Sequence, residues 1–144
     1  MARDILLDTG PLVAVLDRGD PFHAECVAVW HEIADRCLTT ESVVTEATHL
    51  VGRAGGSSLP LELILATRIP VISIERGGHD HAVQLMRRYR MLPMDYTDAT
   101  LVIVADAMRL SSVFTLDRKA FSMYRRGDGS AFTILPSLPR GADN

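Results

Sequence analysis

Cysteine is scarce: Cys26 and Cys37 are the two in 144 residues. They form no C-x-x-C pair, and the one bridge they allow is a poor framework for a chain this long. A disulfide-stapled scaffold is therefore excluded, and a reducing compartment, the cytosol, is the expected location. Long apolar runs are also missing. Met1-Ala2-Arg3-Asp4 leads into three apolar residues, far short of a signal segment, and no later stretch approaches the length of a membrane span. An excess of positive charge is missing too: 15 Lys and Arg against 18 Asp and Glu give a formal charge of −3. That balance argues against a passive nucleic-acid binder, while it suits a site of carboxylates whose charge a bound cation cancels. Repeats and low-complexity segments are absent. What remains is the composition of an ordinary globular domain, 47% hydrophobic and 23% charged, in a chain with room for one core and not for two domains. Pro136, Pro139, Gly141 and Asp143 make the end polar and turn-prone, so one domain is expected over 1–136 and a flexible tail over 137–144.

Strand and helix signals alternate. Asp4-Ile5-Leu6-Leu7-Asp8 reads as a short buried strand, and Gly10-Pro11 turns the chain into an apolar helix through Leu16. Asp20-Pro21 opens a second helix, with Phe22, Cys26, Val29, Trp30 and Ile33 at helical spacing and an end near Asp35. Cys37–Thr40 is the second strand, followed by a helix over Ser42–His49, a loop with Gly52, Gly55 and Gly56, and a further helix to Arg68. Val71–Ile74 is the third strand. A helix over Asp80–Arg90 places Val83, Leu85, Met86 and Tyr89 on its apolar side. Asp98–Leu110 is a largely buried helix, Val113–Leu116 the fourth strand, and a short helix from Arg118 precedes a last strand, Phe132–Leu135. The alternation predicts a three-layer α/β/α fold with a central parallel sheet of four to five strands.

In such sheets ligands bind beyond the carboxyl ends of the strands, where the loops and helix N-termini lie. Asp8 ends the first strand and Asp117 follows the fourth. Glu46 sits in the first turns of the helix after strand two, and Asp98 in the first turn of the helix before strand four. All four are expected at that edge, whereas Asp4, at the other end of its strand, is expected at the surface. Carboxylates about 4 Å apart repel by about 4 kcal/mol per pair at an effective dielectric of about 20, so a cluster of four calls for a compensating cation. All-oxygen ligands favour Mg²⁺ or Mn²⁺, and phosphodiester hydrolysis is common chemistry for such sites. Asp95, three residues before Asp98, is expected to cap the helix. His79 and His81 do not share a helical face and are expected in solvent. Arg87, Arg88, Arg90, Arg125 and Arg126, with Arg118 and Lys119, are candidates for phosphate contacts, the last two preferred because they follow Asp117.

Four local motifs then fall in order: Asp8-Thr9-Gly10-Pro11-Leu12-Val13-Ala14, Thr45-Glu46-Ala47, Pro93-Met94-Asp95-Tyr96-Thr97-Asp98-Ala99 and Thr115-Leu116-Asp117-Arg118. In order and spacing they resemble the PIN-domain family, from Ile5 to about Leu135; each is weak alone, and together they are specific. The resemblance implies a metal-dependent endoribonuclease, most often the toxin of a VapBC-type toxin–antitoxin pair. It implies acidic ligands at Asp8, Glu46, Asp98 and Asp117, orienting hydrogen bonds from Thr9 and Thr115, an antitoxin protein as partner, and a homodimer. One departure is Ala120, where many relatives carry an Asp before the residue matching Phe121.

Other enzyme classes on a similar sheet fit less well. A haloacid-dehalogenase-type site needs a second Asp where Gly10 stands, a receiver domain needs paired acids after the first strand, and no G-x-G-x-x-G follows that strand. The alternative of a different kind is a non-catalytic module that binds RNA or a partner protein.

Overall fold

The computed structural model describes residues 2–53 and 55–137; the expected tail, from residue 138 on, lies outside the described residues. Its elements are β1 (Ile5–Leu7), α1 (Thr9–Leu16), α2 (His23–Ile33), a 3-10 turn (Ala34–Arg36), β2 (Cys37–Thr40), α3 (Glu41–Gly52), α4 (Leu59–Thr67), β3 (Val71–Ile72), α5 (Arg76–Arg88), α6 (Tyr96–Met108), β4 (Ser112–Phe114), α7 (Arg118–Met123) and β5 (Thr133–Leu135).

The five strands form one parallel sheet in the order β3-β2-β1-β4-β5. Ile5 pairs with Cys37 on one side and Ser112 on the other, which centres β1. β1, β2 and the inner residues of β4 are buried without alternation, as expected of strands covered on both faces. The chain moves outward through β2 to β3, crosses back past β1 to β4, and ends at β5. With right-handed crossovers, this reversal puts α1–α4 on one face and α5–α7 on the other, giving the three layers. The core runs through both interfaces, from Leu12, Trp30 and Val43 to Leu85, Val102, Phe121 and Tyr124.

The elements match the sequence pattern except in local detail. α5 starts at Arg76 rather than Asp80, through Gly77 and Gly78. Gly78 is there because of close approach: a Cβ would stand 2.6 Å from the Cγ2 of Ile74. Two apolar positions are corrected. Phe22 is the N-cap residue of α2 and 47% exposed, because the helix begins one residue after it; Val83 is 46% exposed, and Ala82 takes the buried position beside Leu85. β3 is shorter than expected, two residues, since it is the sheet edge and has one partner.

Candidate active site

The reversal of strand order between β1 and β4 opens a crevice beyond their carboxyl ends, the place where parallel sheets bind ligands. Asp8 sits at its floor. The Asp8 amide donates to the Phe114 carbonyl (2.9 Å), which ties the end of β1 to β4. The carboxylate accepts from the Thr9 amide through Oδ1 (2.8 Å), capping α1, and from the Thr115 hydroxyl through Oδ2 (2.7 Å). Thr115 Oγ1 in turn accepts from the Asp117 amide (3.1 Å), and Asp117 caps α7 by accepting from the Ala120 amide (3.2 Å). One buried hydroxyl thus joins the acid after β1 to the loop carrying the acid after β4. Asp117 itself is exposed.

From the other side come α3 and α6. Asp95 caps α6 by accepting from the Asp98 amide (2.8 Å), as its position in the sequence suggests. Thr97 donates to Glu46 Oε2 (3.1 Å), joining α6 to α3. Beneath them, Thr40 and Thr100 are hydrogen-bonded (2.9 Å), and Thr100 also donates to the Thr97 carbonyl. Asp98 Oδ2 accepts from the hydroxyl of Tyr124 (2.8 Å), a fully buried residue at the end of α7. Tyr124 carries no sequence signal of this role. It lies beyond the quoted motifs and reaches Asp98 through the packing of α7, where Tyr89 and Phe121 meet its ring edge-on.

Electrostatics shows that these groups share one neighbourhood. Burial pushes the Asp8 carboxyl up to about 6; the bonds from Thr115 and Thr9 oppose this, and the charges of Glu46 and Asp95 add to it. Burial likewise pushes Asp98 up to about 7, opposed by Tyr124 and reinforced by Asp95, Asp8 and Asp117. The Tyr124 phenol is raised by its burial and by the bond it gives Asp98. Among the described residues no three Asp, Glu, His or Cys side chains form a closed metal cage. The donor set still suits a hard divalent cation. It is all carboxylate and hydroxyl, buried Asp8 and half-buried Asp98 are held against their charged form, and the Thr9 hydroxyl beside Asp8 is buried without a hydrogen-bond partner.

The remaining candidates divide. Arg118 is half-buried and donates to the Pro136 carbonyl, which fixes it to the end of β5, whereas Lys119 is exposed. Arg125 donates to the Ser122 and Tyr124 carbonyls, and Arg126 pairs with Asp128 (3.6 Å). Asp4 lies at the opposite edge, where Arg36 holds its carboxyl below the usual range through a 2.7 Å ion pair. His79 is exposed as expected, but His81 is half-buried, a correction that follows from its place one turn before Leu85, beside the buried stripe of α5. Ala120 is buried, and its amide serves as the donor to Asp117.

The family model for the PIN domain matches residues 5–126. The chain belongs to the PIN-domain family. This PIN domain is 27% identical over 135 residues to the ribonuclease VapC26 of Mycobacterium tuberculosis, an alignment that covers 92% of the chain and all of that protein. Its fold is shared by the crystal structure of M. tuberculosis VapC20, described as a sarcin–ricin-loop-cleaving toxin, with a TM-score of 0.74 and 20% identity over 81% of this chain and 92% of that one. A toxin–antitoxin complex from Klebsiella pneumoniae contains a similar chain, with a TM-score of 0.63 and 19% identity over 83% of this domain and 91% of its counterpart. Among the described residues of this PIN domain, no helix is long and apolar enough to cross a membrane.

Proposed function

We propose that this PIN domain is a metal-dependent endoribonuclease, the toxin of a VapBC-type pair, acting in the cytosol as a homodimer that a cognate antitoxin protein inhibits. The observation that supports the reading is that Asp8 feels the charge of Glu46, and Asp98 those of Asp8 and Asp117, at the carboxyl edge of the sheet. Asp8 is buried and Asp98 half-buried, and each is held against its charged form. Family membership and full-length similarity to a protein named as a ribonuclease support the same chemistry.

Asp8, Glu46, Asp98 and Asp117 would hold Mg²⁺ or Mn²⁺, which supplies Lewis acidity toward water and toward the oxygens of the scissile phosphate. The chain's own residues orient these groups. The Thr9 amide and the Thr115 hydroxyl fix both oxygens of Asp8, Thr97 fixes Glu46, and Tyr124 fixes Asp98. Ligands held this way need little rearrangement to bind, which is the role of outer partners at metal sites. Lys119, exposed in the first turn of α7, is available to a phosphate of the strand, with Arg118 next to it.

The test is cleavage of total cellular RNA by purified protein with Mg²⁺ or Mn²⁺, with chelator, and with Asp8→Asn. Discrete fragments that require both cation and Asp8 are expected. Intact RNA in every lane, from folded protein freed of any antitoxin, would sink the enzyme reading and leave a binding module. Mass measurements alone and with the product of an adjacent gene test the dimer and the antitoxin.

A further inference from the structure

Beside the acids runs a groove of about 750 Å³ between the start of α3, the end of β3 and the N-termini of α5 and α6. Its size is that of a small-molecule site. It shares Glu46 and Thr97 with the acid cluster, so an occupant would adjoin the reacting centre. The rest of its wall is of another kind. Tyr96 and His79 supply rings, Ile72 and Ile74 supply apolar surface, and Ser42, Thr45 and His49 supply hydrogen-bonding groups. Among the described residues no Lys or Arg lines it, and Glu41 stands in its wall. Arg53 stands outside the lining and is engaged with the His49 ring (3.4 Å), so the wall itself offers a phosphate no cationic partner.

The two rings stand edge to face, with centroids 6.1 Å apart and planes at 60°. That arrangement occupies at most one of their four faces. Tyr96 is also 41% exposed, although it is the first residue of a largely buried helix, and His79 is exposed. Free ring faces, hydroxyls and a carboxylate, with no cation in the wall, suit the uncharged part of a nucleotide. A base stacks on an aromatic face, and a carboxylate accepts from an amino group on its edge.

We propose that this groove holds one unpaired base of the RNA next to the scissile phosphate, stacked on Tyr96 beside His79, and that Glu41 favours a base carrying an amino group. The inference rests on the nuclease reading for its biological meaning, but the groove's affinity for a base is testable apart from cleavage. Tyr96 is then a specificity residue outside the acid cluster.

The experiment titrates Asp8→Asn protein, which retains the groove, with AMP, CMP, GMP, UMP and ribose 5-phosphate, following the Ile72 and Ile74 methyl and His79 ring resonances. The amino-bearing nucleotides are expected to shift these signals, UMP less, and ribose 5-phosphate not at all. Tyr96→Ala should weaken nucleotide binding by about tenfold or more, while Tyr96→Phe, which keeps the ring, should retain it. With Asp8 intact, Tyr96→Ala should raise KM for RNA far more than it lowers kcat. Ribose 5-phosphate matching the nucleotides, or Tyr96→Ala binding and cleaving like the parent, overturns the groove while leaving the nuclease standing. Nucleotide shifts without RNA cleavage by the parent protein leave the groove and overturn the nuclease. A Tyr96→Ala protein that changes oligomeric mass yet keeps its nucleotide affinity makes the groove a protein interface instead.

Discussion

At the scale of single residues, the site sets buried charge against hydrogen bonding. Asp8 and Asp98 have folded-state pKa values raised above their unfolded value, to about 6 and about 7. The neutral forms therefore favour the fold. Their contribution is fully present below the unfolded pKa of 3.8 and is lost as pH rises through about 6 and about 7. In chelator, the melting temperature should gain from these two groups as pH falls from about 8 towards 5, and Asp8→Asn should flatten part of that slope. A wild-type profile that declines monotonically over this window, with the variant parallel to it, would contradict the assignment. Tyr124→Phe removes the donor to Asp98 and leaves the ring packed. We expect a loss of about 10–100-fold in Mn²⁺ affinity, measured by calorimetry, with the fold intact by circular dichroism. Unchanged affinity would make Tyr124 a core residue alone. Asp8, Asp98 and Asp117 stand at strand or helix ends, which is what singles them out in the sequence, whereas Glu46 lies midway along α3 and is singled out by its motif. Tyr124 is singled out by neither, since its partner lies 26 residues away and is brought to it by α7 packing.

Among the elements, α7 is short but couples the core to the site. Phe121 is fully buried and meets both Tyr124 and Phe132 edge-on, with centroids 5.1 and 5.7 Å away. Phe121→Ala should cost about 3–5 kcal/mol in a urea titration. It should also weaken cation binding by loosening the hold of Tyr124 on Asp98, and a destabilised variant with parental affinity would separate the two roles. Gly78→Ala, which drives a methyl against Ile74, should cost about 1–3 kcal/mol by the same measurement; a neutral result would mean that Ile74 swings aside. The order and type of the elements were readable because apolar runs and helical spacing alternate cleanly. Their ends were less so. The helix expected from Asp80 starts at Arg76 and takes in Gly77 and Gly78, two poor helix formers, of which Gly78 lies where Ile74 leaves no room for a side chain. Val83 keeps helical spacing and still faces solvent, since the buried stripe of α5 runs through Ala82 and Leu85.

For the whole molecule, the order β3-β2-β1-β4-β5 assembles the site from both halves of the chain. A cation that binds the folded acids and not the unfolded chain should raise the melting temperature in proportion to the logarithm of its concentration above Kd. Mn²⁺ should do so for the parent protein and far less for Asp8→Asn; equal shifts in both would place the cation elsewhere. The same topology has a consequence for synthesis. Asp8 finds the hydroxyl that orients it in Thr115, 107 residues later, which at about 5–20 residues per second is a wait of roughly 5–20 s on the ribosome. Through that interval the growing chain carries Asp8 without the β4 neighbour that completes its surroundings. The acid cluster is therefore completed only when the second half of the chain has been made, so a nascent chain stalled before β4 carries no assembled site.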